Sequence, residues 1–163
     1  MKNNINIAIV GFGNIGSFLF NELKNKSKEI KIKTGKKISI VAISAKSINK
    51  KRKYKINKKI FFKNPLQIIK EKKVDILFEI IGASDGMSKK IVEASLKNKI
   101  HVITPNKALI AKHGDYLSKL AEKYKVNLEF EASVGGGIPI LRTLKDGLAT
   151  NKFNKVVGIL NGT

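Results

Sequence analysis

Ile5-Asn-Ile-Ala-Ile-Val-Gly-Phe-Gly-Asn-Ile-Gly16 is the stretch on which the fold turns. Ile5, Ile7, Ala8, Ile9 and Val10 make a near-continuous apolar run, the pattern of a strand covered on both faces. Gly11, Gly13 and Gly16 follow at G-x-G-x-x-G spacing, and Ser17-Phe-Leu-Phe-Asn-Glu-Leu23 reads as the opening of a helix. A strand before and a helix after is the context in which this spacing carries chemistry. Gly11 permits the tight turn, Gly13 lets the backbone approach a pyrophosphate, and Gly16 lets helix and strand pack closely. The helix N-terminus adds free N–H groups and partial positive charge for the phosphates. Gly11, Phe12, Gly13, Asn14, Ile15 and Gly16 are therefore candidate dinucleotide-binding residues. The competing reading is a glycine turn with no ligand.

Further along, strands and helices alternate. Ile38–Ile43 is a second strand, and the lysine-rich connector before it is expected to prolong the first helix until Gly35 stops it. Residues 54–73 carry the weakest signal, with a short extended segment at 60–62 and a helix opened by Pro65. Val74–Ile81 is a third buried strand, Met87–Asn98 a helix and Ile100–Ile103 a fourth strand. Thr104 is expected to cap a helix whose first residue is Pro105, running to Tyr124 with a break near His113–Asp115. Val126–Glu131 is a fifth strand. Parallel strands need crossovers, and helices at these intervals supply them. The expectation is an α/β, doubly wound, mostly parallel sheet with helices on both faces.

The pattern then changes. A glycine-rich turn at 132–139 precedes a helix at 140–148, and 156–160 reads as another strand just before the chain stops at Thr163. This points to a dinucleotide-binding domain over 1–134 and the start of a second domain over 135–163, cut short, with 156–160 left as an unpartnered edge.

The 163 residues contain no cysteine, which excludes disulfides and thiolate chemistry, and His101 and His113 lack metal-ligand spacing with any carboxylate cluster. No apolar run approaches the roughly 20 residues that span a bilayer. The first strand begins too early to leave room for a signal peptide, so a cytoplasmic protein without membrane partners is expected. The net charge of +21 suggests nucleic acid, but it is nearly all lysine, spread along the whole chain, with Arg52 and Arg142 the only arginines. Base readers rely on arginine and interleaved aromatics. No specific nucleic-acid partner is expected, only weak polyanion binding at low salt.

Cofactor choice in such domains is made just after the second strand, where a carboxylate holds a ribose 2′-hydroxyl and a cation holds a 2′-phosphate. No acidic residue lies between Glu29 and Glu71, and Lys46 follows the strand, with Lys50, Lys51, Arg52 and Lys53 close behind. The expected preference is NADP(H) over NAD(H). Lysines scattered through loops of a lysine-rich protein are the alternative.

Three stretches resemble homoserine dehydrogenase: E-I-I-G-A-S-D-G at 79–86, T-P-N-K-A-L at 104–109, and F-E-A-S-V-G-G-G-I-P-I at 130–140, leading to G-I-L-N-G-T at 158–163. The resemblance implies a Rossmann domain and an NAD(P)-dependent oxidoreductase. Its reaction interconverts L-homoserine and L-aspartate 4-semialdehyde, on the route to threonine, methionine and isoleucine. It implies that 11–16 form the pyrophosphate loop, that Lys46 lies near the adenine ribose, and that Ser84 lies along the cofactor. Lys107 would stand near the nicotinamide and substrate, where an ammonium can stabilise developing alkoxide charge. The family usually has alanine where this chain has Pro105. Glu131, Val134, Gly136 and Ile138 match a monovalent cation site for sodium, with backbone carbonyls from all but Glu131. A plain glycine turn with Glu131 capping a neighbouring helix is the other reading. The family's principal catalytic lysine and substrate-binding acids lie downstream of this chain, so it is expected to bind cofactor without turning over homoserine. The longer parent is expected to be a homo-oligomer. Another two-domain dehydrogenase, such as an aspartate dehydrogenase, or a non-catalytic NADPH-binding module would share the glycine turn without needing the N-K pair.

Overall fold

The computed structural model describes residues 3–49 and 54–158. Its centre is one sheet of six strands in the order β3-β2-β1-β4-β5-β6, with every neighbouring pair parallel. The strands are β1 (Asn4–Val10), β2 (Lys37–Ser44), β3 (Phe61–Phe62), β4 (Ile76–Glu79), β5 (His101–Ile103) and β6 (Leu128–Glu129). Chain order reverses direction between β1 and β4, and strand C-termini open there onto a crevice.

Alternation within the strands explains the layers. Ile7, Ile9 and Ile43 face the helix α1 (Asn14–Asn25), meeting Leu19, Phe20 and Leu23. Ala8, Val10, Ala42, Leu77 and Val102 face the other way, into the larger core. That side is covered by α3 (Pro65–Glu71), α4 (Met87–Lys97) and α5 (Lys107–Tyr124), which contribute Ile68, Ile91, Leu96, Leu109 and Leu117. Because both faces of the central strands are covered, residues 7–10 and 40–43 read as apolar runs. The polar residues Asn4, Asn6, Lys37 and Ser39 are confined to the less buried starts of β1 and β2.

The expected doubly wound sheet is present, and the departures from expectation are local. The lysine-rich connector is a separate helix, α2 (Ser27–Thr34), ended by Gly35 at φ +67°. Thr104 does not cap α5 and Pro105 is not helical; Asn106 is the cap, its side chain accepting from the Leu109 amide at 3.1 Å. The Thr104 hydroxyl is committed to Glu79 instead, at 2.6 Å. α5 runs unbroken through Gly114, because its buried face at Leu109, Leu117 and Leu120 outweighs one glycine in the middle.

The fifth strand is also shorter than expected. Pairing stops at Glu129, and Glu131–Val134 forms a helical turn, α6. The helix expected at 140–148 divides into α7 (Ile140–Arg142) and a wider π-type turn at Thr143–Gly147. Residues 156–158 form no strand, and Val156 and Val157 are exposed. The remainder of that expected strand lies outside the described residues.

Candidate cofactor site

The sequence after β1 explains the shape of the turn. Gly11 has φ +100°, a conformation closed to most side chains, and a Cβ there would collide with the Ile80 carbonyl. Its amide is tied to the Ser44 carbonyl at 2.9 Å, so the turn is clamped between the ends of β2 and β4. Gly16, buried in the first turn of α1, has the Gly11 carbonyl where a Cβ would stand. Gly13 differs from both: a Cβ there would meet nothing within 4 Å. That open face borders the crevice, leaving backbone bare towards a ligand. Phe12 points inward, 3% exposed, and packs edge-on against Phe20 at 5.5 Å between centroids. Asn14 and Ile15 are exposed at the start of α1.

The crevice has a volume of about 870 Å³. One wall is the glycine turn at Gly11–Gly13, and its floor is Val10 with Ile80 and Ile81. The crevice is also lined by Ser44 at the end of β2, by Lys46 and Ser47 beyond it, and by Lys63, Asn64 and Gln67 around the start of α3. The turn and Lys46, expected from sequence to act together, line one cavity. Lys50, Lys51, Arg52 and Lys53 lie outside the described residues. Lys63 and Gln67 went unrecognised because 54–73 carries no periodic signal; a pairing of β3 beside β2 would have pointed to them.

A mostly apolar cavity at the switch point, lined by bare glycine backbone and by two lysines, suits a dinucleotide. The residues fit such a cofactor. Gly13 leaves room for phosphates beside the first amides of α1, and Lys46 and Lys63 supply positive charge in the lining.

Ser84 and Lys107 lie beyond the residues that line the crevice. Ser84 is in the segment between β4 and α4, which Gly82 (φ +93°) and Gly86 (φ +66°) bracket in left-handed conformations. Its hydroxyl donates to Asp85 at 2.7 Å. Asp85 also accepts from Lys112 at 2.8 Å and lies 2.9 Å from His113 Nε2, both on α5. Lys112, His113 and Ser84 beside it hold its carboxyl well below the usual carboxylate range. Lys107 is the first residue of α5 and is exposed; the Asn106 side chain before it donates to the Ala83 carbonyl at 2.8 Å. The two segments that carry Ser84 and Lys107 are thus tied together.

Glu131 opens α6, and its two carboxyl oxygens accept from the Leu141 and Arg142 amides, each at 2.8 Å. Burial raises its pKa, but the amides of Leu141, Arg142 and Ile140 outweigh it, and the net direction is downward. Glu131 therefore caps the helix that follows. Val134 ends α6, Gly136 and Ile138 are exposed, and the Ile138 carbonyl accepts from the Ile140 amide at 2.9 Å. Among the described residues no cluster of three histidine, aspartate or glutamate side chains could hold a metal ion. Nor is any helix among them long and apolar enough to cross a membrane.

Comparison with known proteins agrees with this geometry. The family model described as homoserine dehydrogenase, NAD binding domain, matches residues 11–131. Homoserine dehydrogenase of Neisseria gonorrhoeae is 36% identical over 159 residues, and that of Bacillus subtilis is 34% identical over the same length. The alignment takes in 98% of this chain but only 36% of each of those relatives. Among solved structures, a homoserine dehydrogenase from Thiobacillus denitrificans superposes with TM-score 0.80 at 30% identity, covering 91% of this chain and 34% of that one. The S. aureus enzyme at pH 6.0 gives TM-score 0.76 at 37% identity, covering 86% of this chain and 36% of that one. The matched domain is a nicotinamide-cofactor domain, and the chain spans about a third of the length of its curated relatives. The chain belongs to the homoserine dehydrogenase family, of which it carries the NAD-binding domain.

Proposed function

We propose that this chain is the cofactor-holding part of a cytoplasmic, NADP-preferring homoserine dehydrogenase that interconverts L-homoserine and L-aspartate 4-semialdehyde in threonine and methionine biosynthesis. On this reading 1–134 is the dinucleotide domain and 135–163 begins the substrate domain. The observation that carries it is the crevice at the switch point, lined by the Gly11–Gly13 turn and by Lys46 and Lys63. A bound nicotinamide would supply or accept the hydride.

The chain's own residues divide the rest of the work. The backbone at Gly11–Gly16 holds the pyrophosphate, and Ile80 and Ile81 exclude water from one side of the crevice. Lys46 holds the 2′-phosphate, supported by Lys63 and by the absence of any acidic residue between Glu29 and Glu71. Ser84 lies along the cofactor. Lys107 orients the reacting oxygen of the substrate and stabilises negative charge developing on it. Sodium at Glu131, with the carbonyls of Val134, Gly136 and Ile138, belongs to the same proposal, since one carboxylate and hard carbonyl oxygens suit it. The ion would have to share Glu131 with the two amides that it caps. The 163 residues alone would hold cofactor without oxidising homoserine, and the whole protein would assemble with further copies of itself.

Titration with NADPH and separately with NADH, followed by nicotinamide fluorescence or calorimetry, tests the central claim. NADPH should bind at least about tenfold tighter, roughly 1.4 kcal/mol, and Lys46→Ala should abolish that gap. Equal affinity would refute the NADP preference and leave the nicotinamide site intact. Homoserine oxidation by this chain alone would refute the division of labour. A melting temperature that responds equally to sodium and choline chloride would remove the cation.

A further inference from the structure

Glu79 closes β4 with none of its surface exposed, and the chemistry proposed above makes no use of it. Four donors from three segments converge on its carboxyl group. The Ser88 hydroxyl and the Ile81 amide (2.8 Å) donate to Oε1. The Thr104 hydroxyl donates to Oε2 at 2.6 Å, and Asn106 Nδ2 lies 3.3 Å from the same oxygen. A second ring of contacts closes around these. The Asn106 amide donates to Thr104 Oγ1 at 3.1 Å, and Asn106 Nδ2 is 3.1 Å from Ser88 Oγ and 2.8 Å from the Ala83 carbonyl. Ser88, Thr104 and Asn106 are themselves buried.

Holding an acidic side chain among neutral donors inside a protein is costly, and an apolar residue would serve plain stability as well. A carboxyl group offers what an apolar residue lacks, namely several acceptor sites on two oxygens, enough to hold all these donors in one arrangement. What they arrange is informative. Ile81 lines the crevice, Ala83 adjoins Ser84, and Asn106 caps α5, whose first residue is Lys107. We propose that Glu79 is a positioning residue: acting through Asn106, it sets where α5 begins and therefore where Lys107 stands relative to the crevice rim. The link to chemistry rests on the reading of Lys107 given above.

Glu79→Gln in the 163-residue chain tests this. It keeps the shape of the side chain but turns one acceptor oxygen into a donor. The Ile81 amide is a fixed donor on the Oε1 side, so the new NH₂ faces Thr104 and Asn106. Amide exchange at Asn106 and Leu109 should quicken by at least about tenfold, while the Ile43 amide in β2 keeps its protection. In titrations with NADPH, Glu79→Gln and Lys107→Met should each weaken binding, and the double variant should bind no more weakly than Lys107→Met alone. A merely structural role predicts additive losses, which would overturn the proposal. So would unchanged exchange at Asn106 and Leu109. If Lys107→Met alone leaves NADPH affinity unaltered, the reading of Lys107 fails, and the exchange data still decide for or against Glu79. Should Glu79→Gln fail to fold, Thr104→Val removes one donor of the same cluster and must show the same local pattern of exchange.

Discussion

Gly16→Ala isolates the close approach of α1 to the glycine turn. Alanine is the better helix former, by about 1 kcal/mol in a helix interior, so propensity alone predicts a more stable protein. The structure predicts the reverse. The new Cβ would overlap the Gly11 carbonyl, which is backbone and has no rotamer to change. Gly11 cannot retreat either, since it lies hard against the Ile80 carbonyl and its amide is held by Ser44 at 2.9 Å. Overpacking against rigid partners costs about 1–3 kcal/mol, and here the upper end applies. Against the propensity gain, the net is a loss of about 2 kcal/mol. For a chain of this size that lowers the melting temperature by about 4–8 °C. Gly13→Ala is the contrast: its Cβ meets nothing, so stability should hold within about 0.5 kcal/mol while dinucleotide affinity falls as the methyl fills the crevice. Urea unfolding monitored by circular dichroism, with nicotinamide fluorescence titrations of the same samples, measures both. A Gly16→Ala protein as stable as the parent would refute the argument from close approach.

Other expectations are simpler to state. Leu77→Ala, at a fully buried position in the middle of the larger core, should cost about 2–5 kcal/mol in urea unfolding. Asn106→Ala removes a helix cap, a loss of about 1 kcal/mol or more, and leaves the Leu109 amide without its acceptor. The pKa of Asp85 is depressed in the fold, so its contribution is fully present above its ordinary value of 3.8 and is lost as pH falls below it. Asp85→Asn should therefore lower stability in the neutral region and leave it nearly unchanged in strong acid, so that the acid limb of the stability curve flattens. An unchanged acid limb would show that the contacts to Lys112 and His113 are too weak to matter.

The alternation of apolar runs with helical segments made the sheet legible, because strands buried on both faces leave a continuous apolar signature. The glycine turn was legible because the contact of Gly16 with the Gly11 carbonyl joins near neighbours in the chain, although Gly11 is also confined by the distant Ile80 carbonyl. Non-local contacts were harder to read. Thr104-Pro105-Asn106 carries two plausible caps, and local preference favours threonine followed by proline. The choice fell to asparagine because the threonine hydroxyl is taken by Glu79, a residue 25 positions earlier. Lys63 and Gln67 were hidden similarly, since they reach the crevice only through two residues of pairing between β2 and β3. Glu79 itself is legible in the sequence only as the first residue of E-I-I-G-A-S-D-G, with no role of its own. Its role depends on partners from three later segments.

The neighbours that floor the crevice, β1 and β4, are joined at their base by a contact between Asn6 and Asp75, 69 residues apart in sequence. The residues of the glycine turn are made early, yet the Ile80 carbonyl that confines it and the surface opposite it are not in place until that long loop has closed. Closure of this kind is the slow part of folding for parallel sheets. A nascent or refolding chain therefore has no dinucleotide pocket until late, however early its glycines are made. Cofactor added during refolding is expected to leave the folding rate nearly unchanged and to slow unfolding, so that bound nucleotide acts as a lock on the finished domain rather than a template for it.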